Sequence, residues 1–300
     1  MNAIETRDLT KFYGQSRGII DLNLSIGEGE IYGFIGPNGA GKSTSIRLFL
    51  NLLFPTRGSG HIFGLDIVKD SPAIKQIVGF VPSEVHYYDK MKVLELLQYS
   101  ARFFGTVLDN EHLQIAEKLE LDTSRRIEAL SMGNKKKVAV VQSLIHRPRL
   151  LILDEPTSGL DPLMQNRFFE ILNEVNQNGT TIFFSSHILA EVQKFCHRVA
   201  IIKEGKIVDE EDIISMREKS LSRITYHLNV EEPVAIPELP GMISVEHIER
   251  GATFLYLGDI PILLSHLQKL PIDKLTVTEP DLEEVFMHYY KETSEKEANQ

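Results

Sequence analysis

A chain of 300 residues holds about two domains' worth of polypeptide. Its 25% charged and 42% hydrophobic residues are the make-up of a soluble globular protein, and a formal net charge of −10 leaves no domain-wide excess of Lys and Arg, which argues against general nucleic-acid binding. Cys196 is the only cysteine, so an intrachain disulfide is excluded and a reducing compartment is the simpler reading. No apolar stretch approaches bilayer-spanning length, and Met1-Asn2-Ala3-Ile4-Glu5 lacks the basic start and apolar run of a secretion signal, so a cytoplasmic protein is expected.

Ile4, Thr6 and Leu9 flank a short β-like opening, and Leu22, Leu24 and Ile26 alternate with polar neighbours as a half-exposed strand does. Between them sits Tyr13, whose ring is a candidate platform for a nucleobase, although an aromatic residue on its own is more often a packing residue. The apolar run Ile31 to Ile35 then leads into Gly36-Pro37-Asn38-Gly39-Ala40-Gly41-Lys42-Ser43-Thr44, which fits G-x-x-x-x-G-K-[ST]. The closely spaced Ile46, Leu48, Phe49, Leu50 and Leu52 follow, so the motif lies where a buried strand turns into a helix. The glycines let the backbone curl its N–H groups inward on an anion, and the positive end of the helix dipole adds to the pull. Lys42 would reach the β- and γ-phosphates of a nucleotide and the Ser43 hydroxyl would hold Mg²⁺.

Pro55 to Gly60 reads as a loop, and Gly79 to Glu84 as a strand closing into another. Val93, Leu94, Leu97, Ala101 and Phe104 follow helical spacing, and Leu113, Ala116 and Leu119 suggest a second helix. A third opens at Leu130-Ser131-Met132-Gly133-Asn134 with Ser131 as N-cap, buries Val138, Val141, Leu144 and Ile145, and stops at Pro148. Lys135, Lys136 and Lys137 in its first turns oppose the helix dipole, so they are either a solvated charge run or await an anion from outside. Leu150 to Leu153 is fully apolar and ends in Asp154-Glu155, as expected of a buried parallel strand whose carboxyl edge collects ligands. There Asp154 can hold Mg²⁺ and Glu155 can orient or deprotonate water.

The turn-rich Pro156 to Pro162 precedes a helix carrying Phe168, Ile171, Leu172 and Val175 and stopped at Gly179. Thr180 to Phe184 is the next strand and ends in Ser185-Ser186-His187, on the edge expected for Asp154 and Glu155, which gives His187 a γ-phosphate role. Val199 to Ile202 and Ile207-Val208, joined by Glu204-Gly205, read as a hairpin. Beyond a boundary at Ser220-Leu221-Ser222, the alternating Ile224, Tyr226, Leu228 and Val230, β-like stretches near Val245, Leu255 and Thr276, and a helix over Ile260 to Leu267 make a small α+β unit. Asp281 and Glu284 form a capping box for a last helix burying Leu282, Val285, Phe286 and Tyr289, before a charged tail over 291–300.

In order and spacing these pieces resemble the nucleotide-binding subunit of an ABC transporter across about residues 1–215. The resemblance implies an α/β P-loop NTPase core with a helical insertion at about 85–147, plus a small C-terminal α+β domain over 221–290. It makes Tyr13 the adenine-stacking residue, Gly36 to Thr44 the Walker A loop, Ser131 and Gly133 the γ-phosphate contacts of the signature motif, and Leu150 to Glu155 the Walker B strand. Asp161 then lies in the D-loop and His187 is the switch histidine. Two copies would close head to tail, because one chain has one phosphate loop and one signature, and each ATP·Mg²⁺ would lie between the phosphate loop of one and Ser131 and Gly133 of the other. The chain departs from the family pattern at Met132 and Asn134, where the commoner form has Gly and Gln, and at Ser83, where it has Gln. A water bridged from Ser83, or the neighbouring Glu84 turned inward, would fill the gap near Mg²⁺.

The ending Glu279 to Phe286 looks like that of single-domain exporter ATPases of the drug, antibiotic and natriuretic type, which work with a separate membrane permease. The expected place is therefore the cytoplasmic face of the membrane, with no nucleic-acid partner. The alternative, a soluble ABC-type ATPase acting on ribosomes or nucleic acid, would carry two ATPase halves or a long coiled coil between Walker A and the signature, and this sequence has neither. A sensor without turnover would lack a carboxylate at Glu155.

Overall fold

The computed structural model describes residues 1–88, 90–218, 221–229, 240–278 and 280. The chain divides into two compact units, Met1–Glu210 and Glu211–Gln300, a division that falls ahead of Ser220-Leu221-Ser222.

The first unit opens with β1 (Asn2–Tyr13) and β2 (Ser16–Gly27), paired antiparallel. β1 is much longer than the short opening expected, because register shifts along it break the two-residue alternation that marks a strand in sequence. β3 (Ile31–Ile35) is buried at every residue, and the Gly-rich loop after it enters α1 (Lys42–Phe49). Leu52 lies past the end of α1 and is exposed, not part of its apolar face. The stretch expected as a loop is largely β4 (Arg57–Ile62), which pairs with β1 from Ile4↔Ile62 to Thr10↔Arg57. Its Gly58 sits at a register shift with φ +80, where a Cβ would lie 2.2 Å from the Asp8 carbonyl oxygen. Glycine here marks a bulge inside a sheet and not a turn between elements.

β5 (Leu65–Asp66), α2 (Ser71–Ile77) and β6 (Val78–Val81) follow. The insertion consists of α3 (Val93–Phe103), α4 (Asn110–Lys118) and α5 (Met132–Leu144). In α4 it is His112, with Ala116, that faces inward, while Leu113 is exposed; the His112 Nδ1 accepts from the Asp109 N–H at 3.3 Å and lies 2.7 Å from the Asp109 carboxylate. The Ser131 hydroxyl accepts from the Asn134 N–H and caps α5 as expected. The helix ends at Leu144, earlier than Pro148 required, and Arg147 adopts φ +49 immediately ahead of that proline.

β7 (Leu150–Asp154), α6 (Pro162–Gln177), β8 (Thr181–Ser186), α7 (Leu189–Phe195), β9 (Arg198–Lys203) and β10 (Lys206–Asp212) complete the unit. Its smaller sheet has the order β2-β1-β4-β5 and its larger one β10-β9-β3-β8-β7-β6, parallel from β9 to β6. α1 packs between them, against β2 and β4 on one side and β7 on the other. The Phe183 ring meets Phe34 at 5.3 Å and Phe49 edge-on at 5.6 Å in the core so formed. Register fixes what matters for chemistry. Ile35 lies opposite Ser186, Asp154 opposite Ser185, and Val81 opposite Leu153, so the loops that begin at Gly36, Pro82, Glu155 and His187 leave a single sheet edge.

The second unit contains α8 (Ile213–Glu218), β11 (Leu221–Leu228), β12 (Met242–Ile248), β13 (Gly251–Leu257), α9 (Ile260–Leu267) and β14 (Ile272–Thr278). Its sheet, in the order β12-β13-β11-β14, is antiparallel throughout. Ile224, Tyr226 and Phe254 pack with Leu263 and Leu267 of α9 in its own core. Val230, the expected last helix with its Asp281–Glu284 capping box, and the 291–300 tail lie outside the described residues.

Candidate functional site

The loop from Gly36 to Gly41 is held by backbone at both ends. The Gly36 N–H donates to the Ser186 carbonyl at 3.4 Å, and the Ala40 carbonyl accepts from the Gly205 N–H at 2.8 Å. Gly36 passes so close to β9 that a Cβ would lie 2.3 Å from the Ile202 carbonyl oxygen, and Gly41, at φ +120, makes the turn into α1. The first-turn amides of α1, at Lys42, Ser43 and Thr44, have no helical acceptor. They open on a cavity of about 150 Å³ lined by Arg17, Gly18, Asn38, Gly39, Gly41, Lys42, Ser43, Thr44 and Glu155. Backbone donors, a helix N-terminus and two cations make this an anion site.

Lys42 is only 5% exposed; its ammonium donates to the Gly36 carbonyl at 2.6 Å and the Pro37 carbonyl at 3.3 Å, and lies 3.3 Å from Glu155 Oε1. The other carboxylate oxygen of Glu155, Oε2, is 3.4 Å from His187 Nδ1. Thus the three residues expected to act on a γ-phosphate meet at one point, with Glu155, 22% exposed, between the other two. Glu155 holds a positive φ of 47°, a conformation that costs on the order of 1–3 kcal/mol and persists only where its surroundings impose it. Here they do: its N–H donates to the Ser185 carbonyl, and its own carbonyl accepts from Lys136 Nζ at 3.3 Å. Asp154 is buried, and its Oδ1 accepts from the Ser185 hydroxyl at 2.9 Å.

These donors fit Mg²⁺. Ser43 and Asp154 offer hard oxygen ligands, and the described residues contain no cluster of three His, Cys, Asp or Glu able to hold a metal alone. Tyr13, at the end of β1, is 43% exposed, with its hydroxyl 3.4 Å from Thr44 Oγ1 and the Lys11 ammonium 5.7 Å from its ring centre.

Other expected residues lie elsewhere. Ser131 and Gly133 are outside the cavity lining, Ser131 exposed at the N-terminus of α5 and Gly133 packed against the loop after β7. Asp161 caps α6, accepting from the N–H groups of Leu163 and Met164. Ser83 presents its carbonyl, not its hydroxyl, to Lys136. Glu84 is not turned inward: its side chain is 82% exposed and 3.8 Å from His86, which removes the ground for placing it beside the metal. The lysine run is neither solvated nor waiting for an anion at Lys136 and Lys137, both of which are buried. Burial pushes the Lys136 ammonium pKa down, opposed by the charges of Asp154 and Glu155.

Three contributors escaped the sequence reading. Arg17 sits in a strand with no motif, and Ser185 reads in sequence as a strand end. Lys136 carried a signal, since it shares a helical face with the buried Val140 and Leu144.

Residues 19–158 match the family model described as ABC transporter. The chain is 31% identical to the bacitracin transport ATP-binding protein BcrA of Bacillus licheniformis over 299 residues, covering 95% of this chain and 96% of that protein. It is 30% identical to the linearmycin resistance ATP-binding protein LnrL of Bacillus subtilis (strain 168), covering 95% and 97%. Among solved structures it is similar to an ATP-binding subunit of an ABC transporter, with a TM-score of 0.66 and 28% identity over 72% of this chain and 92% of that one. A dimeric ATP-binding cassette in a post-hydrolysis state with ADP and Pi matches with a TM-score of 0.64 and 25% identity, over 70% and 98%.

Proposed function

The chain belongs to the ABC transporter ATP-binding proteins, and on that premise we propose that it hydrolyses ATP in a dimer of cassettes and drives a separate membrane permease that exports an antibiotic or similar drug. The observation that carries the catalytic part is the meeting of Lys42 and His187 on the two carboxylate oxygens of Glu155, at the mouth of the phosphate loop. Tyr13 stacks on the adenine, and the loop from Gly36 to Thr44 wraps the phosphates with its amides. Ser43 and Asp154 would hold Mg²⁺, which would supply neutralisation of charge on the phosphate oxygens.

On arrival of the γ-phosphate, Lys42 exchanges the carbonyls of Gly36 and Pro37 for phosphate oxygens. Glu155 takes a proton from the attacking water, and His187 donates to the γ-phosphate. Ser131 and Gly133 of a second copy complete the site, which agrees with their position outside the cavity of their own chain and with the dimeric state of the similar cassette. Asp161, capping α6 in the neighbouring loop, shapes the surface that meets this second copy.

The drug-export reading rests on relatives named for bacitracin transport and linearmycin resistance that match over nearly the whole chain. Attachment at the cytoplasmic face runs through the permease; no helix among the described residues is long and apolar enough to cross a membrane. The decisive experiment is ATP binding and phosphate release by the purified full chain, with and without Mg²⁺. Wild type should turn over only with Mg²⁺ and Lys42→Ala should lose ATP affinity at least about tenfold, the loss of roughly 1.4 kcal/mol of phosphate contact. Equal affinity in the two proteins would refute the assignment of the loop.

A further inference from the structure

Lys136 is a lysine buried at 3% exposure in the first turns of the helix capped by Ser131. Its ammonium has three protons and meets three carbonyl oxygens: Ser83 at 2.8 Å, Pro82 at 2.9 Å and Glu155 at 3.3 Å. Two of these carbonyls belong to the loop after β6 and the third to the residue that bears the reacting carboxylate. Such bonds from a charged donor in a buried setting are among the stronger ones in proteins. The same helix is tied a second time to the loop after β7, since Gly133 lies so close that an added Cβ would be 2.6 Å from the Gly159 carbonyl oxygen.

We propose that Lys136 is a positioning residue that links the two ATP sites of the dimer, passing the seating of Ser131 on the partner's nucleotide to the backbone of Glu155 at the chain's own nucleotide. This rests on the reading of Glu155 as base and of Ser131 as a contact across the dimer. Within one chain those two residues serve different ATP molecules, and Lys136 is the side chain that bridges their supports. A shift of α5 by a few tenths of an ångström changes three charged hydrogen bonds together. It thereby loosens or tightens the φ +47 conformation that aims the Glu155 carboxylate between Lys42 and His187. Lys136 is not among the residues that line the phosphate-loop cavity, so its loss should leave ATP binding to a single chain intact while lowering turnover and uncoupling the sites.

The test compares Lys136→Met, Lys136→Gln and Lys136→Arg with wild type and Glu155→Gln in the full chain. The readouts are steady-state ATPase over a range of ATP, affinity for a fluorescent ATP analogue below dimerising concentration, and thermal midpoint. Expected are a kcat at least tenfold down in Lys136→Met, an analogue affinity within twofold, and a Hill coefficient that falls from above 1 toward 1. Lys136→Arg should recover part of both, and Lys136→Gln, which keeps two donors without charge, should fall between. If Lys136→Met does not fold, Lys136→Gln at wild-type thermal midpoint decides. A wild-type kcat and Hill coefficient in a folded variant overturns the proposal, as does a wild-type Hill coefficient of 1, or loss of analogue affinity in step with kcat. If instead Glu155→Gln still turns over, the base assignment has failed and this proposal falls with it.

Discussion

Replacing Glu155 by glutamine changes almost no volume and removes one charge from the point where Lys42 and His187 converge. At 3.3 Å the Lys42–Glu155 attraction is about 5 kcal/mol at an effective dielectric of 20. Little of that should register as stability, because Glu155 is open to solvent on one side and Lys42 keeps the carbonyls of Gly36 and Pro37. The released ammonium is instead free for phosphate, and one negative charge no longer repels it, so ATP affinity should be unchanged or rise. Turnover should go the other way. A positioned general base contributes about 10²–10⁴-fold, so kcat should fall at least about a hundredfold, some 2.7 kcal/mol of barrier. Phosphate release measured beside ATP affinity separates the two effects, and size-exclusion chromatography with Mg·ATP should show the variant accumulating as a dimer. A Glu155→Gln protein that keeps more than a tenth of wild-type kcat, or that loses ATP binding, would refute the reasoning.

Gly133→Ala should lower the thermal midpoint by an amount equivalent to about 1–3 kcal/mol, because the added methyl group meets the Gly159 carbonyl at 2.6 Å and a backbone atom cannot rotate away; an unchanged melting curve would show that the packing is looser than described. Glu84→Ala should leave steady-state kcat within twofold, since its carboxylate faces solvent, and a tenfold loss would return it to the metal site. Tyr13→Ala should weaken ATP about three- to tenfold, roughly 0.7–1.4 kcal/mol of ring contact, while Tyr13→Phe should not, the hydroxyl being 3.4 Å from Thr44; equal losses in the two variants would move the contribution from the ring to the hydroxyl.

What the sequence revealed and what it hid follow from how local each signal is. The phosphate loop, the buried strand ending in Asp154-Glu155 and the Ser131 cap are each set by a few consecutive residues, and all three stand where expected. β4 was invisible because its glycines fit a pairing with β1 that only the folded sheet supplies. His112 displaced Leu113 on the buried face of α4 because Asp109, three residues earlier, gives its ring a hydrogen-bond partner, which apolar periodicity cannot register. The three lysines of α5 form one run in sequence, yet at 3.6 residues per turn they point in different directions, and one of them ends among carbonyls contributed from residues 82, 83 and 155. At Ser83 the family's amide suggested that a side chain must fill the place, and Glu84 was the nearest polar one; the loop instead turns its backbone to Lys136 and leaves Glu84 in water.

The order β9-β3-β8 has a consequence for the newborn chain. The strand that carries the phosphate loop is made early, yet both of its neighbours in the sheet, and the Gly205 amide that fixes Ala40, come from residues 181–205. At translation speeds of about 5–20 residues per second, that strand waits roughly 8–34 s for its partners. During this interval its Ile31, Tyr32, Phe34 and Ile35 side chains and unpaired edges have no native shelter, so a nascent chain stalled before residue 181 would expose an aggregation-prone segment and would bind no nucleotide in a finished loop.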